Sequence, residues 1–264
     1  MFNIDILKTE NFSMKYAKIG SGAKTFVMIP GLSIKSVCDS ASNIEDAYKI
    51  FLKEYTIYCF DRVDNPKFGY SIYDMANDTL DAIKLLGLKD IYLFGASQGG
   101  MISALMVLKE ESLFKKVVVA STTFNLTNYT NINSWIKDAG KNNKEDLFLD
   151  FSKLIYTNDV YEKYKDYLIE ESKTVTENDI NNFIIFASSL PNFSIIDNIK
   201  NIRIPFLMVS SSSDTLLTIK PLLEVKEKVN NKPNFSFYIY NDYGHALYDL
   251  APDFKKIMLE FFNK

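Results

Sequence analysis

Ile91-Tyr92-Leu93-Phe94-Gly95-Ala96-Ser97-Gln98-Gly99-Gly100-Met101 sets a serine between a short apolar run and a helical stretch that continues to Lys109. A side chain held on so sharp a strand-to-helix turn needs small neighbours two positions before and after it, because a Cβ there collides with the crossing backbone. Gly95 and Gly99 meet that need. The turn lifts the Ser97 hydroxyl clear of the strand, and the positive end of the following helix favours an alkoxide or an oxyanion. The plainer reading is a glycine-rich turn that only lets the helix pack on the strand.

On either side of this turn, strand and helix alternate. Thr25–Ile29, stopped by Pro30-Gly31, Thr56–Phe60, Ile91–Phe94 and Val117–Ala120 are compact apolar runs, and helical stretches lie at Asn43–Lys53, Ile72–Leu86 and Gly99–Lys109. Strands this apolar, separated by helices, predict an α/β fold whose parallel sheet is covered on both faces. Phe12–Ile19 alternates and ends at Gly20-Ser21-Gly22, which reads as a hairpin leading into Thr25–Ile29. From 121 to 200 the text becomes rich in Asn and aromatics and shows no strand. The rhythm resumes with a strand at Pro205–Ser210, a helix at Thr218–Val229, a strand at Phe235–Tyr240 and one closing helix at Ala246–Phe262. The expected organisation is one core built from residues 1–120 and 201–264, with residues 121–200 inserted as a helical cap.

A serine in this setting needs a base, and the chain has a single histidine, His245. It follows the strand Phe235–Tyr240, where a loop at the carboxyl edge of a parallel sheet carries it toward Ser97. A lone histidine taken by itself is more often a side chain without a role. The third group, which orients the imidazole and stabilises its cation, is expected at Asp214, directly after the strand Pro205–Ser210. Asp242 and Asp249 are its rivals through proximity in sequence, but Asp249 is expected to face solvent and Asp242 to cap the approach of the last helix.

Composition narrows the field. The 264 residues carry 30 basic against 33 acidic side chains, a net charge of −3, and 47% of them are hydrophobic, as in a globular protein with a substantial core. Arg62 and Arg203 are the only arginines and no basic stripe forms, which argues against a nucleic-acid surface. Cys38 and Cys59 are too few for a disulfide framework and lack partners for a zinc site. Asp5, Lys8 and Glu10 interrupt the segment where a signal peptide needs an apolar core, and no eighteen apolar residues run together. The expectation is a cytoplasmic protein that acts on a small molecule and engages neither nucleic acid nor membrane.

Taken together, these residues resemble the α/β-hydrolase superfamily over nearly the whole chain outside the insertion. The resemblance is carried by GASQGGM at Gly95–Met101, by the order Ser97, Asp214, His245, and by IPGLS at Ile29–Ser33. Asp61-Arg62, followed by Gly69-Tyr70-Ser71 and Asp78, matches more loosely. It implies an eight-stranded, mostly parallel sheet with a helical cap after the sixth strand, and an oxyanion hole formed by the backbone N–H groups of Gln98 and Leu32. It further implies a hydrolase that forms an acyl-enzyme on Ser97 and needs neither metal nor organic cofactor. The sequence departs from the superfamily pattern at Pro30, where a histidine commonly stands.

The remaining features have two readings each. Trp135 is a candidate for lining the substrate pocket, as are Tyr156, Tyr161, Tyr164 and Tyr167, yet their spacing also suits a helical cap that packs on itself. The insertion holds eight lysines against twelve carboxylates and no arginine, which argues against an anionic substrate clamped by guanidinium groups. Arg62 is expected to pair with Asp61 or Asp64, and both cysteines to be structural. The expected substrates are small esters, thioesters or lactones. Cleavage of a C–C or amide bond by the same residues is the alternative, with Glu162, Glu170 or Glu171 as anchors for an amino terminus. A binding protein that has lost turnover is the other, suggested by Pro30.

Overall fold

Alternation along four central strands builds the core. In the computed structural model, which describes residues 1–127 and 143–264, the strands are β1 (Phe2–Lys8), β2 (Ser13–Ile19), β3 (Lys24–Ile29), β4 (Tyr55–Val63), β5 (Ile91–Ala96), β6 (Phe114–Ala120), β7 (Phe206–Ser211) and β8 (Phe235–Tyr240). They form one sheet in the order β1-β2-β4-β3-β5-β6-β7-β8. Pairing is antiparallel at β1–β2 and β2–β4 and parallel everywhere else.

Successive residues of a strand point to opposite faces, so an all-apolar strand serves two cores at once. Val27, Leu93, Val117, Val119 and Met208 pack on one face, against α2 (Ile72–Leu85), α3 (Gln98–Glu110) and α7 (Lys220–Val229). Phe26, Phe94, Val118 and Val209 pack on the other, against α1 (Ala41–Ala47) and α9 (Phe254–Asn263). Helix α2 begins at a capping box, in which the Ser71 hydroxyl accepts from Asp74 N–H and the Asp74 carboxylate accepts from Ser71 N–H.

Three expectations about elements are corrected. Phe12–Ile19 does not turn back onto Thr25–Ile29, because β4 lies between them and the hairpin partner of β2 is the N-terminal β1. The glycines crowd the start of β4 instead: a Cβ at Gly22 would sit 2.2 Å from the Glu54 and Tyr55 backbone, and Thr56 donates to Gly22 O at 2.7 Å. The helix expected at Asn43–Lys53 stops at Ala47, where the chain tightens into short turns that bury Tyr48 and Phe51 around Phe26. The single closing helix is two, α8 (Leu247–Leu250) and α9, since Pro252 has no N–H to give and holds Ala251 extended at φ −71°, ψ 118°.

Between β6 and β7 the chain leaves the sheet, and its described helices are α4 (Lys144–Ile155), α5 (Asn158–Lys173) and α6 (Glu177–Ser188). The excursion closes on itself at its base, where Leu126 N–H donates to Phe193 O and Ile195 N–H to Phe124 O, both at 2.8 Å. Leu147, Val175, Ile180 and Phe183 form a separate small core there, against Ile34 of the β3–α1 loop. Trp135 lies outside the described residues.

Candidate active site

Every group of the site hangs from the carboxyl edge of the sheet. Ser97 sits between β5 and α3 with φ 50° and ψ −121°, a conformation costly for any residue with a Cβ. It is pinned on both sides: Ser97 N–H donates to Ala120 O at 2.9 Å, and Ser97 O accepts from the Thr122 hydroxyl at 2.7 Å. The glycine requirement is steric, as expected. A Cβ at Gly95 would meet Gly99 O at 2.4 Å, and one at Gly99 would meet Ile29 O at 2.1 Å.

His245, on the loop after β8, reaches across to this turn. Its Nε2 lies 2.9 Å from Ser97 Oγ, and its Nδ1 lies 2.8 Å from Asp214 Oδ2. His245 is 3% exposed and Asp214 2%. A buried carboxylate requires hydrogen-bond partners, and Asp214 has them: its Oδ1 accepts from the N–H groups of Leu216 and Leu217, both at 2.9 Å. The rivals Asp242 and Asp249 are exposed side chains.

Beside Ser97 runs the loop after β3. Gly31 lies so near that a Cβ there would stand 3.2 Å from Ser97 Cβ. Arg62, at the end of β4, does not form the ion pair expected with Asp61 or Asp64. Its Nη2 donates to Pro30 O at 2.7 Å and to Gln98 Oε1 at 3.3 Å. Asp61 instead accepts from the Ser36 hydroxyl and Asp64 from the Ser13 hydroxyl. Burial pulls the Arg62 guanidinium down to about 10, which leaves it cationic at neutral pH.

Comparison with solved structures finds the same chain path. An α/β hydrolase enzyme from a Medee basin deep-sea metagenome library superimposes with a TM-score of 0.85 at 20% identity, covering 98% of both chains. An esterase from Exiguobacterium antarcticum gives 0.81 at 18% identity, covering 98% of this chain and 99% of that one. The enol-lactonase from Burkholderia xenovorans gives 0.83 at 15% identity, covering 98% and 100%. The family model described as the alpha/beta hydrolase fold matches residues 33–154. The chain has the alpha/beta hydrolase fold. Comparison with curated proteins finds no sequence match.

In this fold the excursion after β6 packs directly onto the loops that carry the site. Ala246 N–H donates to Ile155 O at 3.3 Å, and a Cβ at Gly244 would stand 3.0 Å from Thr157 Cγ2. The Gln98 side-chain amide donates to Phe186 O at 2.9 Å and to Ser189 Oγ at 3.2 Å, both at the end of α6. A cavity of about 180 Å³ opens beside the loop, bordered by Leu32, Lys35, Arg62, Gln98 and Asn182.

The other candidate residues divide: Tyr156, just past the end of α4, is largely buried and lies near Tyr248 and Asp249. Tyr161 is buried, and Tyr164 and Tyr167 project to solvent on α5. Of the carboxylates considered as anchors, Glu162 pairs with Lys165, Glu170 with Lys173 and Glu171 with Lys35. Both thiols are buried, and burial pushes that of Cys38 up to about 12. Among the described residues, no helix is long and apolar enough to cross a membrane, and no cluster of three or more His, Cys, Asp or Glu is placed to hold a metal ion.

Sequence reasoning missed the contacts of Arg62, the reach of the Gln98 side chain to α6, and Thr122. The Arg62 and Gln98 contacts depend on loops far apart in the chain. Thr122 carried one local signal, a hydroxyl just past the end of a buried strand.

Proposed function

We propose that this protein is a serine hydrolase that cleaves small esters, thioesters or lactones through an acyl-enzyme. One observation carries the reading: a single buried imidazole spans Ser97 at 2.9 Å and Asp214 at 2.8 Å. In the first half-reaction His245 Nε2 takes the Ser97 proton as Oγ attacks the substrate carbonyl, and then gives it to the leaving alcohol, thiol or ring oxygen. In the second, His245 deprotonates a water that attacks the acyl-enzyme and releases the acid. Asp214 holds the Nδ1 proton and balances the imidazolium in both.

The negative charge that develops on the substrate oxygen is taken up by the N–H groups of Gln98 and Leu32. Each donor is worth about 3 kcal/mol of barrier lowering when aimed at the oxyanion rather than at the ground-state carbonyl. Support for Gln98 comes from its place as the first residue of α3, where a helix leaves its N–H without an internal acceptor. Support for Leu32 comes from the close approach of Gly31 to Ser97. Residues 121–200 act as a cap over this edge of the sheet, an assignment supported by the contacts of Ile155, Thr157 and Phe186 with the site loops. Buried, unpaired Cys38 and Cys59 suit a reducing cytoplasm.

An esterase and an enol-lactonase are among the proteins that share the fold, which is compatible with ester and lactone substrates. The test is hydrolysis of p-nitrophenyl esters from acetate to decanoate by wild type and Ser97→Ala, alongside labelling by a fluorophosphonate. Turnover and labelling that both vanish in Ser97→Ala are expected. Labelling without ester turnover would move the chemistry to C–C or amide bonds, and absence of both would leave a binding protein.

A further inference from the structure

The two N–H groups assigned to the oxyanion hole sit on segments far apart in the chain, Leu32 on the loop after β3 and Gln98 at the start of α3. A hole of this kind works only if both donors hold their places while charge builds, so the connection between the segments bears on catalysis. The segments pack backbone to backbone where Gly99 meets Ile29 and Pro30, and one side chain joins them by hydrogen bonds. Arg62 Nη2 donates at once to Pro30 O, two residues before Leu32, and to Oε1 of Gln98 itself, at 2.7 and 3.3 Å.

The surroundings of Arg62 do not suit a residue kept only for stability. Its side chain is 8% exposed, and Nε is buried without a hydrogen-bond partner. No carboxylate forms an ion pair with it among the described residues. Asp61 stabilises the charge from beyond ion-pair distance, but the groups the buried cation bonds directly are two neutral oxygens, an expensive way to satisfy a loop carbonyl. It is a sensible way to fix two backbone segments in register and to leave positive charge behind the hole.

Gln98 extends the connection. Its amide is fully engaged, with Oε1 facing the guanidinium and Nε2 facing Phe186 O and Ser189 Oγ. Only one orientation of the amide satisfies all three contacts, because the carbonyl end must meet the donor and the NH₂ end the acceptors. The end of α6 is thereby tied to the residue whose N–H serves the oxyanion.

We infer that Arg62 and the Gln98 side chain are positioning residues for the oxyanion hole: Arg62 clamps the Pro30–Leu32 loop to the start of α3, and Gln98 fastens that clamp to α6 of the cap. The inference rests on the serine-hydrolase reading. It also accounts for how the loop is held where Pro30 stands in place of a histidine.

The test compares Arg62→Met, Arg62→Lys and Gln98→Met with wild type in the full chain. The readouts are kcat and KM on a p-nitrophenyl ester and the Ki of a trifluoromethyl ketone, whose adduct with the serine carries an oxyanion. Removing one oxyanion donor outright costs about 10²–10³ in kcat, so loosening both is expected to cost Arg62→Met about tenfold to a hundredfold. KM should stay within about twofold, and Ki should rise by the same factor as kcat falls. Arg62→Lys should recover part of the loss, since an ammonium reaches Pro30 O without spanning to Gln98. Gln98→Met keeps the backbone N–H and should show the same split, which preserves the test if Arg62→Met does not fold. Unchanged kcat and Ki in the folded variants, or a rise in KM alone, would overturn the clamp while leaving the hydrolase intact. A wild type that neither turns over esters nor binds the ketone overturns the hydrolase reading, and the clamp with it.

Discussion

His245 Nε2 stands 2.9 Å from Ser97 Oγ although 148 residues separate them in the chain. Parallel pairing makes this possible. β5, β7 and β8 run in the same direction, so the residues that follow them, Ser97, Asp214 and His245, emerge at one edge of the sheet. Side chains delivered by separate strands can then meet without any loop having to travel far.

Asp214→Asn is expected to lower kcat about 10⁴-fold, because an amide at Oδ2 no longer fixes the tautomer that leaves Nε2 free to accept the serine proton. Its Oδ1 still accepts from Leu216 and Leu217, so thermal melting should change little. Asp242→Asn and Asp249→Asn, at exposed positions, should stay within a few-fold of wild type. Steady-state ester hydrolysis by the three variants checks the assignment.

Gly99→Ala tests the tight crossing at the elbow. The new methyl would stand 2.1 Å from Ile29 O and 2.4 Å from Pro30 O, backbone atoms of a buried strand end that cannot rotate away. A loss of about 3 kcal/mol in urea unfolding is expected, with activity falling as the loop is displaced. Gly87→Ala is the control: at φ 65° with no atom within 4 Å of the added carbon, it should cost only the conformational term of about 1 kcal/mol.

Thr122→Val removes the hydroxyl that donates to Ser97 O at 2.7 Å and leaves that part-buried carbonyl with the Gly100 N–H alone. A loss of about 1–2 kcal/mol is expected from chemical denaturation.

The thiols give a prediction in pH. Burial raises Cys38 from its usual value of 9.0 to about 12, and raises Cys59 well above its own. The folded chain therefore holds these protons more tightly than the unfolded chain. Their contribution to stability is complete below pH 9 and is lost as the pH climbs toward about 12. Cys38→Ala should lose stability less steeply over that window in pH-dependent melting. At pH 8 a thiol reagent should label neither cysteine until the protein is unfolded.

The reach of sequence reasoning followed the range of the interactions involved. The elbow was readable because steric demand acts within four residues of Ser97, and the central strands because burial on two faces leaves an unbroken apolar run. Asp214 followed from its place directly after such a run. Pairing order was not readable: β2 carries no mark that says whether β3 or β4 lies beside it, and β1 has an alternating apolar pattern whose meaning depends on finding β2. The break at Pro252 was masked by an amphipathic period that continues through it. Arg62 looked like a partner for neighbouring carboxylates because sequence shows neighbours along the chain, and its acceptors come from residues 32 and 36 positions away.

A chain with one histidine, and that ring enclosed between Ser97 and Asp214, carries its own spectroscopic reporter. Every imidazole resonance in an NMR spectrum of this protein comes from His245, so none has to be assigned by mutation. In the proposed mechanism the ring's Nδ1 proton, directed at Asp214, reports the hydrogen bond that orients the base, and its Nε2 reports the state of the serine. Adding an inhibitor and watching one signal would follow the charge on the ring through the encounter, in the unaltered protein and at a single site.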